Sequence, residues 1–179
     1  MKKKIILGFI LLMIVSIQTV NAKENDSYND VYYFEENNYT LRNIENNYYM
    51  FDENTKVMLY GWIDVDGNRY YLDPETGIAA TGFKTIDGIT YYFNEIGQLQ
   101  HLLQKIGEHY YFFGRYSGKM EHGWLDSEGQ RYYLDPETGI AATGFKTIDG
   151  ITYYFNETGQ LQHLLQKIGE HYYFFGRYS

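Results

Sequence analysis

The fifteen-residue sequence TGFKTIDGITYYFNE occurs twice, at residues 81–95 and again at residues 143–157. It lies within a longer duplication, in which residues 69–117 and residues 131–179 differ at a single position. Pairs of adjacent tyrosines recur at shorter intervals along the chain, at residues 48–49, 70–71, 91–92, 110–111, 132–133, 153–154 and 172–173. The steps between these pairs are 22, 21, 19, 22, 21 and 19, so three short repeats make one repeat of 62 residues. Regular periods of this length predict an architecture in which each repeat buries its apolar face on its neighbours.

Each short repeat has the pattern of a β-hairpin. Within residues 81–95, the dipeptide Asp87-Gly88 separates two runs that are rich in β-branched and aromatic residues, which is a strong signal for a two-residue turn. Related dipeptides occupy the other repeats, at Asp66-Gly67, Ile106-Gly107, Glu128-Gly129, Asp149-Gly150 and Ile168-Gly169. A lone hairpin is marginally stable in water, so neighbouring hairpins must cover it. The sequence therefore predicts an all-β fold, a solenoid of stacked two-stranded β-hairpins of about 20 residues each.

A two-residue turn also fixes which side chains face each other across a hairpin, because side chains alternate between the two faces of a strand. With a turn at Asp66-Gly67, the core face comprises Ile63, Val65, Tyr70 and Leu72. The opposite face mixes aromatic and charged residues, namely Trp62, Asp64, Arg69 and Tyr71. With a turn at Ile106-Gly107, the third hairpin of the large repeat places Leu102, Gln104, His109 and Tyr111 on its mixed face.

The aromatic residues of the mixed faces are the candidate ligand-binding residues: Trp62, Tyr71, Phe83, Tyr92, Trp124, Tyr133, Phe145 and Tyr154. Aromatic rings along a shallow groove can stack on sugar faces, and nearby carboxylates and guanidinium groups can bond to hydroxyls. The alternative is that these rings pack hairpin on hairpin and build the repeat stack. That alternative is favoured for any single ring, whereas a ligand groove is favoured for the array as a whole.

The chain ends predict three segments. Residues 1–22 have a basic start, an apolar run and small residues before a cleavage site after Ala22, the pattern of a secretory signal peptide. Residues 23–45 form a polar N-terminal segment or a degenerate cap, and residues 46–179 form the β-hairpin repeat domain. The protein is therefore expected to be secreted, with association to a cell wall.

Composition excludes several classes of partner and of chemistry. The net charge is −8, and it becomes −11 when cleavage removes the signal peptide with its three lysines. This acidic charge argues against binding to nucleic acid and against insertion into or adsorption on a membrane. The absence of cysteine rules out disulfides and thiolate metal sites. No nucleophile elbow, phosphate loop or metal-ligand spacing occurs, so the chain is predicted to be noncatalytic, with no catalytic residue, metal or cofactor.

The sequence pattern of a Gly-Trp dipeptide, a turn glycine and a Tyr-Tyr pair resembles the cell-wall-binding, or choline-binding, repeat family. This pattern occurs in residues 61–83 and 82–100, and the resemblance covers about residues 46–179. The segment IAATGFKTIDGITYYFN resembles even more closely the short repeats in the C-terminal repetitive domains of large clostridial glucosylating toxins.

The resemblance implies particular ligand sites. In the choline-binding branch, an aromatic cage holds a quaternary ammonium by cation–π attraction. Its first tryptophan corresponds to Trp62 and Trp124, with Phe83 and Phe145 in the same position. The position of its second tryptophan holds Arg69, Thr90, His109, Arg131, Thr152 and His171. Its methionine or leucine position holds Ala79, Leu99, Met120, Ala141 and Leu161. The toxin-type repeats imply glycan or receptor binding.

These observations predict a secreted, noncatalytic protein that recognises a cell-wall polysaccharide or a host-cell glycan through aromatic grooves between hairpins. Two alternatives remain open at this point. The chain could be a structural or assembly module that self-associates or docks a partner protein, or it could bind a choline-type ligand on teichoic acid.

Overall fold

A computed structural model describes residues 31–176 and shows an all-β chain in that range. Its strands are β1 Val31–Phe34, β2 Tyr39–Ile44, β3 Asn47–Asp52, β4 Gly61–Val65, β5 Asn68–Leu72, β6 Gly82–Ile86, β7 Ile89–Phe93, β8 Leu102–Ile106, β9 His109–Phe113, β10 Gly123–Ser127, β11 Gln130–Leu134, β12 Gly144–Ile148, β13 Ile151–Phe155, β14 Leu164–Ile168 and β15 His171–Phe175. Strands β1, β2 and β3 form an antiparallel sheet, and the remaining strands pair consecutively as six two-stranded hairpins. The all-β class and the succession of hairpins are therefore confirmed. No helix in this range has the length and apolarity needed to cross a bilayer.

The predicted register is correct in the hairpin β4–β5. Trp62 pairs with Tyr71 and Asp64 pairs with Arg69, around the turn at Asp66-Gly67. Both turn residues have positive φ, as a type I′ turn requires. The core face of this hairpin is buried as predicted, with Tyr70 1% exposed.

The predicted turn is wrong in the hairpin β8–β9. Ile106 pairs with His109, so the turn is Gly107-Glu108 and not Ile106-Gly107. Gly107 has a φ of 60° and takes the first turn position, which is the position where a type II′ turn uses glycine. The pairing shifts by two residues, so the predicted set Leu102, Gln104, His109 and Tyr111 still shares one face. That face is not the mixed face, because Tyr111 takes the position that Tyr70 has on the core face of β4–β5, and Phe113 beside it is 0% exposed. The predicted mixed face of this hairpin is therefore wrong.

The structural repeats are more regular than the Tyr-Tyr pairs suggest. In hairpin β8–β9 the third residue of the second strand is the second tyrosine of the pair, whereas in hairpin β4–β5 it is the first tyrosine. The residues in this third position are Tyr49, Tyr70, Tyr91, Tyr111, Tyr132, Tyr153 and Tyr173. Their spacing is 21, 21 and 20 residues, and this series then repeats. One shifted tyrosine pair per large repeat therefore explains the uneven spacing in the sequence.

The chain forms two compact units. The first comprises the chain up to residue 84 together with residues 92–99, and the second comprises residues 85–91 together with residues 100 onward, so the division falls within hairpin β6–β7. The core of the first unit contains Phe34, Leu41, Met50, Val65, Tyr70, Leu72 and Ala79. The second unit has one cluster of Phe112, Tyr132, Leu134 and Ala141, and another of Ile148, Phe155 and Leu161. Each cluster in these units draws side chains from successive repeats.

The linkers hold successive hairpins together within each unit. After hairpin β4–β5, the Asp73 carboxylate accepts hydrogen bonds from the backbone N–H groups of Glu75 and Thr76, each at 3.1 Å, and this turns the chain. Ala79 then donates its backbone N–H to the carbonyl of Tyr48 in β3, at 2.8 Å. In the second unit, Ala141 donates in the same way to Tyr110 in β9, at 2.8 Å. Each of these linkers therefore bonds its hairpin to the preceding strand pair.

The predicted N-terminal segment 23–45 contributes β1 and β2 to the first sheet, and its predicted boundary falls in the turn before β3. Glu53, which follows β3, accepts side-chain hydrogen bonds from Thr40 and Arg42 in β2 and from Lys56. Burial raises the pKa of Glu53, but hydrogen bonds from Lys56 and Thr40 and the Arg42 charge outweigh burial and lower it to about 2. The predicted signal peptide and the start of the polar segment lie outside the described residues, and the domain boundaries stay predictions.

Candidate ligand-binding site

The eight predicted site residues form four aromatic pairs, each made by rings on neighbouring strands of one hairpin. The ring centroids are 5.0 Å apart in Trp62–Tyr71, 5.0 Å in Phe83–Tyr92, 5.1 Å in Trp124–Tyr133 and 4.9 Å in Phe145–Tyr154. The planes cross at 54° to 65°, which is close to the edge-to-face arrangement that aromatic rings prefer. The same local sequence thus produces nearly the same pair four times.

The pairs lie on the exposed face of their hairpins. Trp62 is 37% exposed and Phe145 is 48% exposed, whereas Tyr71 and Tyr154 are half-buried. In the hairpin β4–β5, the opposite face is closed against the core, as Val65 and Tyr70 show. Three of the pairs therefore combine an exposed ring with a half-buried one, whereas both rings of the Trp124–Tyr133 pair are half-buried.

The tryptophans also contact the following repeat. In the first unit, the ring of Trp62 lies 6.0 Å from that of Phe93. In the second unit, the ring of Trp124 lies 5.0 Å from that of Tyr153 and 6.1 Å from that of Phe155. The sequence analysis missed these neighbours. Phe93 and Phe155 each directly follow a Tyr-Tyr pair, and a large apolar residue at that position could have indicated the contact.

An arginine lies over each tryptophan. The guanidinium of Arg69 is 5.7 Å from the ring centre of Trp62 and donates two hydrogen bonds to Asp64, at 2.6 and 2.7 Å. These hydrogen bonds hold the pKa of Asp64 below its usual value. In the second unit, the guanidinium of Arg131 is 5.1 Å from the ring centre of Trp124. Arginine and carboxylate thus border each Trp-Tyr pair as an ion pair.

The Phe145–Tyr154 pair has a different border. The positions of the acid and the arginine are taken by Thr147 and Thr152, whose hydroxyl oxygens lie 3.0 Å apart. On the face of the hairpin that carries the rings, this pair is therefore flanked by hydroxyl groups in place of an ion pair.

Four of the five methionine or leucine positions implied by the choline-binding resemblance are buried in the core. Leu99 is 6% exposed and Leu161 is 5% exposed, and both alanines at this position are 3% exposed. Met120 is half-buried. These side chains pack between repeats, so the exposed chemistry of the pairs comes from the rings and from the polar residues beside them.

Two depressions in the second unit border the predicted site. The larger has a volume of about 540 Å³ and includes Tyr154, and the smaller has a volume of about 170 Å³ and includes Tyr133. Both lie over the linker between β11 and β12 and share Ile140, Ala141, Ala142 and Lys146. Their polar lining includes His109, which the choline-binding resemblance implied, and Glu108, Lys146 and Glu157, which the sequence pattern did not indicate. Within residues 31–176, no group of three or more histidine or acidic side chains is arranged to hold a metal.

Comparison with known proteins identifies the kind of repeat. The family model of the cell wall binding repeat matches residues 61–75, 81–98 and 143–161. Toxin B of Clostridioides difficile is 42% identical over 60 residues, which are 32% of this chain and 2% of the toxin. CbpJ from Streptococcus pneumoniae TIGR4 superposes with a TM-score of 0.63 at 29% identity, over 68% of this chain and 41% of CbpJ. Choline binding protein F from Streptococcus pneumoniae superposes with a TM-score of 0.60 at 31% identity, over 69% of this chain and 41% of that structure.

These matches confirm the predicted resemblance. Three segments of the chain match the cell wall binding repeat, 60 residues are similar to Toxin B, and the hairpins have the fold of choline-binding proteins. The matched model describes a cell wall binding repeat, and the noncatalytic character of this chain stays a prediction. The chain spans less than half the length of the two solved structures and a small part of the toxin.

Proposed function

We propose that this protein is a secreted, noncatalytic module that binds a glycan of a cell wall or cell surface through its aromatic pairs. The observation that carries the proposal is the fourfold recurrence of one pair geometry, with centroids 4.9 to 5.1 Å apart, and with an exposed ring in three of the four pairs. Exposed rings can stack on the apolar faces of sugars, and the Asp64, Arg69 and threonine side chains beside them can bond to hydroxyls. Recurring platforms also allow weak individual contacts to add along one polysaccharide.

The charge at the tryptophans favours a neutral sugar over a quaternary ammonium. The matched structures include a choline binding protein solved with a peptidoglycan analogue and another solved with ipratropium. A quaternary ammonium needs the face of an aromatic ring, where the attraction is electrostatic. Here the guanidinium groups of Arg69 and Arg131 lie over the two indoles and would repel a second cation there.

Retention on purified bacterial cell wall and on a glycan array tests the proposal. The double variant Trp62→Ala/Trp124→Ala should lose at least tenfold in affinity, because it removes the ring that each ligand would stack on. Tyr116→Ala is the matched control, since Tyr116 is 90% exposed and belongs to none of the four pairs. Circular dichroism would check that each variant is folded.

The outcomes separate the classes of function. Glycan binding at the aromatic pairs is supported if the double variant loses affinity while the Tyr116 variant binds like the wild type. A wild-type protein retained on neither material contradicts the proposal, as does a double variant that binds like the wild type. Release of the bound protein by free choline would support choline-type binding to teichoic acid.

One observation favours assembly as a second candidate function. Hairpin β14–β15 exposes Leu165, Tyr172 and Phe174, at 62%, 66% and 73%. An exposed apolar surface of this kind often marks a protein interface. If the chain is an assembly module, it should self-associate in sedimentation velocity experiments at micromolar concentration, and Phe174→Glu should make it monomeric. A wild-type protein that stays monomeric across that concentration range would exclude assembly through this surface.

A further inference from the structure

We propose that the trough formed by the two depressions over linker residues 140–144 is a separate subsite for a neutral, hydroxyl-rich saccharide, centred on Lys146. The inference deepens the proposed function and rests on it, because it assigns a further contact surface to the same glycan. The trough shares Tyr154 with the Phe145–Tyr154 pair and Tyr133 with the Trp124–Tyr133 pair. A saccharide chain could therefore contact an aromatic pair and the trough together.

The floor of the trough is fixed backbone with small side chains. Ala141 donates its backbone N–H to the carbonyl of Tyr110, and Ala142 donates to that of Tyr133, both at 2.8 Å. Ala141 pairs with the last residue of β11, in the position that Leu161 takes after β13. The side chain of Ala141 is 3% exposed, so the floor of the trough is the linker backbone and not a gap left by this side chain. The volume of about 540 Å³ lies within the usual range of about 300 to 1,000 Å³ for ligand pockets.

The walls carry polar groups that the protein itself leaves unused. Glu108 and His109 line the trough at the turn of β8–β9, and Lys146 and Glu157 line it from β12 and from the residues after β13. None of these four side chains makes a hydrogen bond or ion pair with any residue in the range 31–176. Polar groups on opposite walls of one trough are suited to a ligand that is both donor and acceptor.

The charge of the walls defines the class of ligand. The carboxylates of Glu108 and Glu157 accept hydrogen bonds, and the Lys146 ammonium donates three. Asp135 lines the adjoining part, so the acids outnumber Lys146 and disfavour an anionic sugar. The ring of Tyr154 supplies apolar contact. Hydroxyl groups satisfy both kinds of partner, so a neutral saccharide fits these walls.

The first unit contains a natural counterpart. It has the same linker at residues 78–82 and a lysine at position 84, but Asn46 and Asn47 stand where the second unit has Glu108 and His109. Lys84 is also engaged, since its ammonium lies 3.6 Å from the carboxylate of Asp73. The charge of Lys146 acts on the carboxylate of Asp135 in the same way, although the two form no ion pair within 4 Å. The two lysines therefore differ chiefly in what faces them, two asparagines in the first unit and Glu108 with His109 in the second. The two lysines are a matched pair for testing the subsite.

The experiment compares these lysines on purified bacterial cell wall and on neutral glycans of the array. Lys146→Met should reduce the affinity about tenfold, which corresponds to about 1.4 kcal/mol. Glu108→Asn/His109→Asn, which copies the first unit, should reduce it severalfold. Lys84→Met should stay within about twofold of the wild type, because Asn46 and Asn47 replace Glu108 and His109 in the first unit. Lys146 is exposed, so its replacement should not affect folding, and circular dichroism would confirm this.

Each outcome decides between the subsite and the broader function. Selective loss in the Lys146 variant supports the trough. Equal losses for Lys84→Met and Lys146→Met overturn it, since the effect would then reflect general charge. If Trp62→Ala/Trp124→Ala weakens binding but both trough variants bind like the wild type, the trough is wrong and the proposed function stands. A wild-type protein that is not retained refutes the proposed function, and the subsite with it.

Discussion

Hairpins β8–β9 and β14–β15 belong to segments of identical sequence, residues 102–117 and 164–179, yet they differ in burial. Their local contacts agree closely. The ammonium of Lys105 lies 5.8 Å from the ring centre of Tyr110, and the same distance separates Lys167 from Tyr172. The exposed fraction of the fourth residue of the second strand is nevertheless 5% at Phe112 and 73% at Phe174.

The difference arises from the next repeat. The ring of Phe112 lies 5.6 Å from that of Tyr132, and Leu125 packs against the same cluster. No described residue covers Phe174 in the same way. Identical local sequence therefore gives identical turns and registers, whereas burial depends on the hairpin that packs against the face.

The largest expected effect concerns the two phenylalanines. Phe112→Ala should lower the free energy of unfolding by about 3 kcal/mol, because it leaves a cavity in a packed cluster. Phe174→Ala should change it by less than about 0.5 kcal/mol, as expected for an exposed side chain. Urea unfolding measures both variants. Equal losses of stability in the two variants would show that Phe174 is covered in solution, and would contradict the difference in burial between the two hairpins.

A smaller effect is expected when the exposed face is given a neighbour. A chain in which residues 118–142 are repeated after Ser179 should cover β14–β15 as β10–β11 covers β8–β9. Amide hydrogen exchange in β15 should then slow about tenfold, or by about 1.4 kcal/mol of local stability. The control is the same extension with serine at the positions that copy Leu125 and Tyr132. Equal exchange with both extensions would show that burial of this face does not stabilise the hairpin.

The smallest effect concerns the first residue of each hairpin. Leu102 and Leu164 have φ values of 61° and 64°, at a position where four other hairpins have glycine: Gly61, Gly82, Gly123 and Gly144. A left-handed conformation costs a residue with a side chain about 1–2 kcal/mol, and glycine returns part of that as extra entropy of the unfolded chain, about 0.4–1 kcal/mol.

Leu164→Gly should therefore raise the free energy of unfolding by about 0.5 kcal/mol, because Leu164 is 44% exposed and loses little contact. Leu102→Gly should be neutral or destabilising, because Leu102 packs against the Phe112 cluster. Thermal unfolding of the two variants measures the difference. A Leu164 variant that is destabilised as much as the Leu102 variant would show that the backbone strain is negligible.

Much of the fold followed from the sequence because its governing interactions are local. The dipeptide Asp66-Gly67 sets both the turn and the register, and the register places Trp62 beside Tyr71. The turn at Gly107-Glu108 escaped prediction, because both Ile106-Gly107 and Gly107-Glu108 contain the glycine and only the strand pairing distinguishes them. The trough escaped prediction as well, since Glu108 and Lys146 are distant in sequence and meet only when repeats stack.

The hairpins, their period, the four aromatic pairs and the arginines beside the indoles all follow from local sequence, since each depends on contacts between residues close along the chain. Which faces are buried and where a trough forms depend on how the repeats pack. Burial is a property of the neighbour as well as of the residue, because apolar area leaves water only when another surface covers it. The two copies of residues 102–117 demonstrate this directly, with the same sequence at Phe112 and Phe174 and opposite exposure.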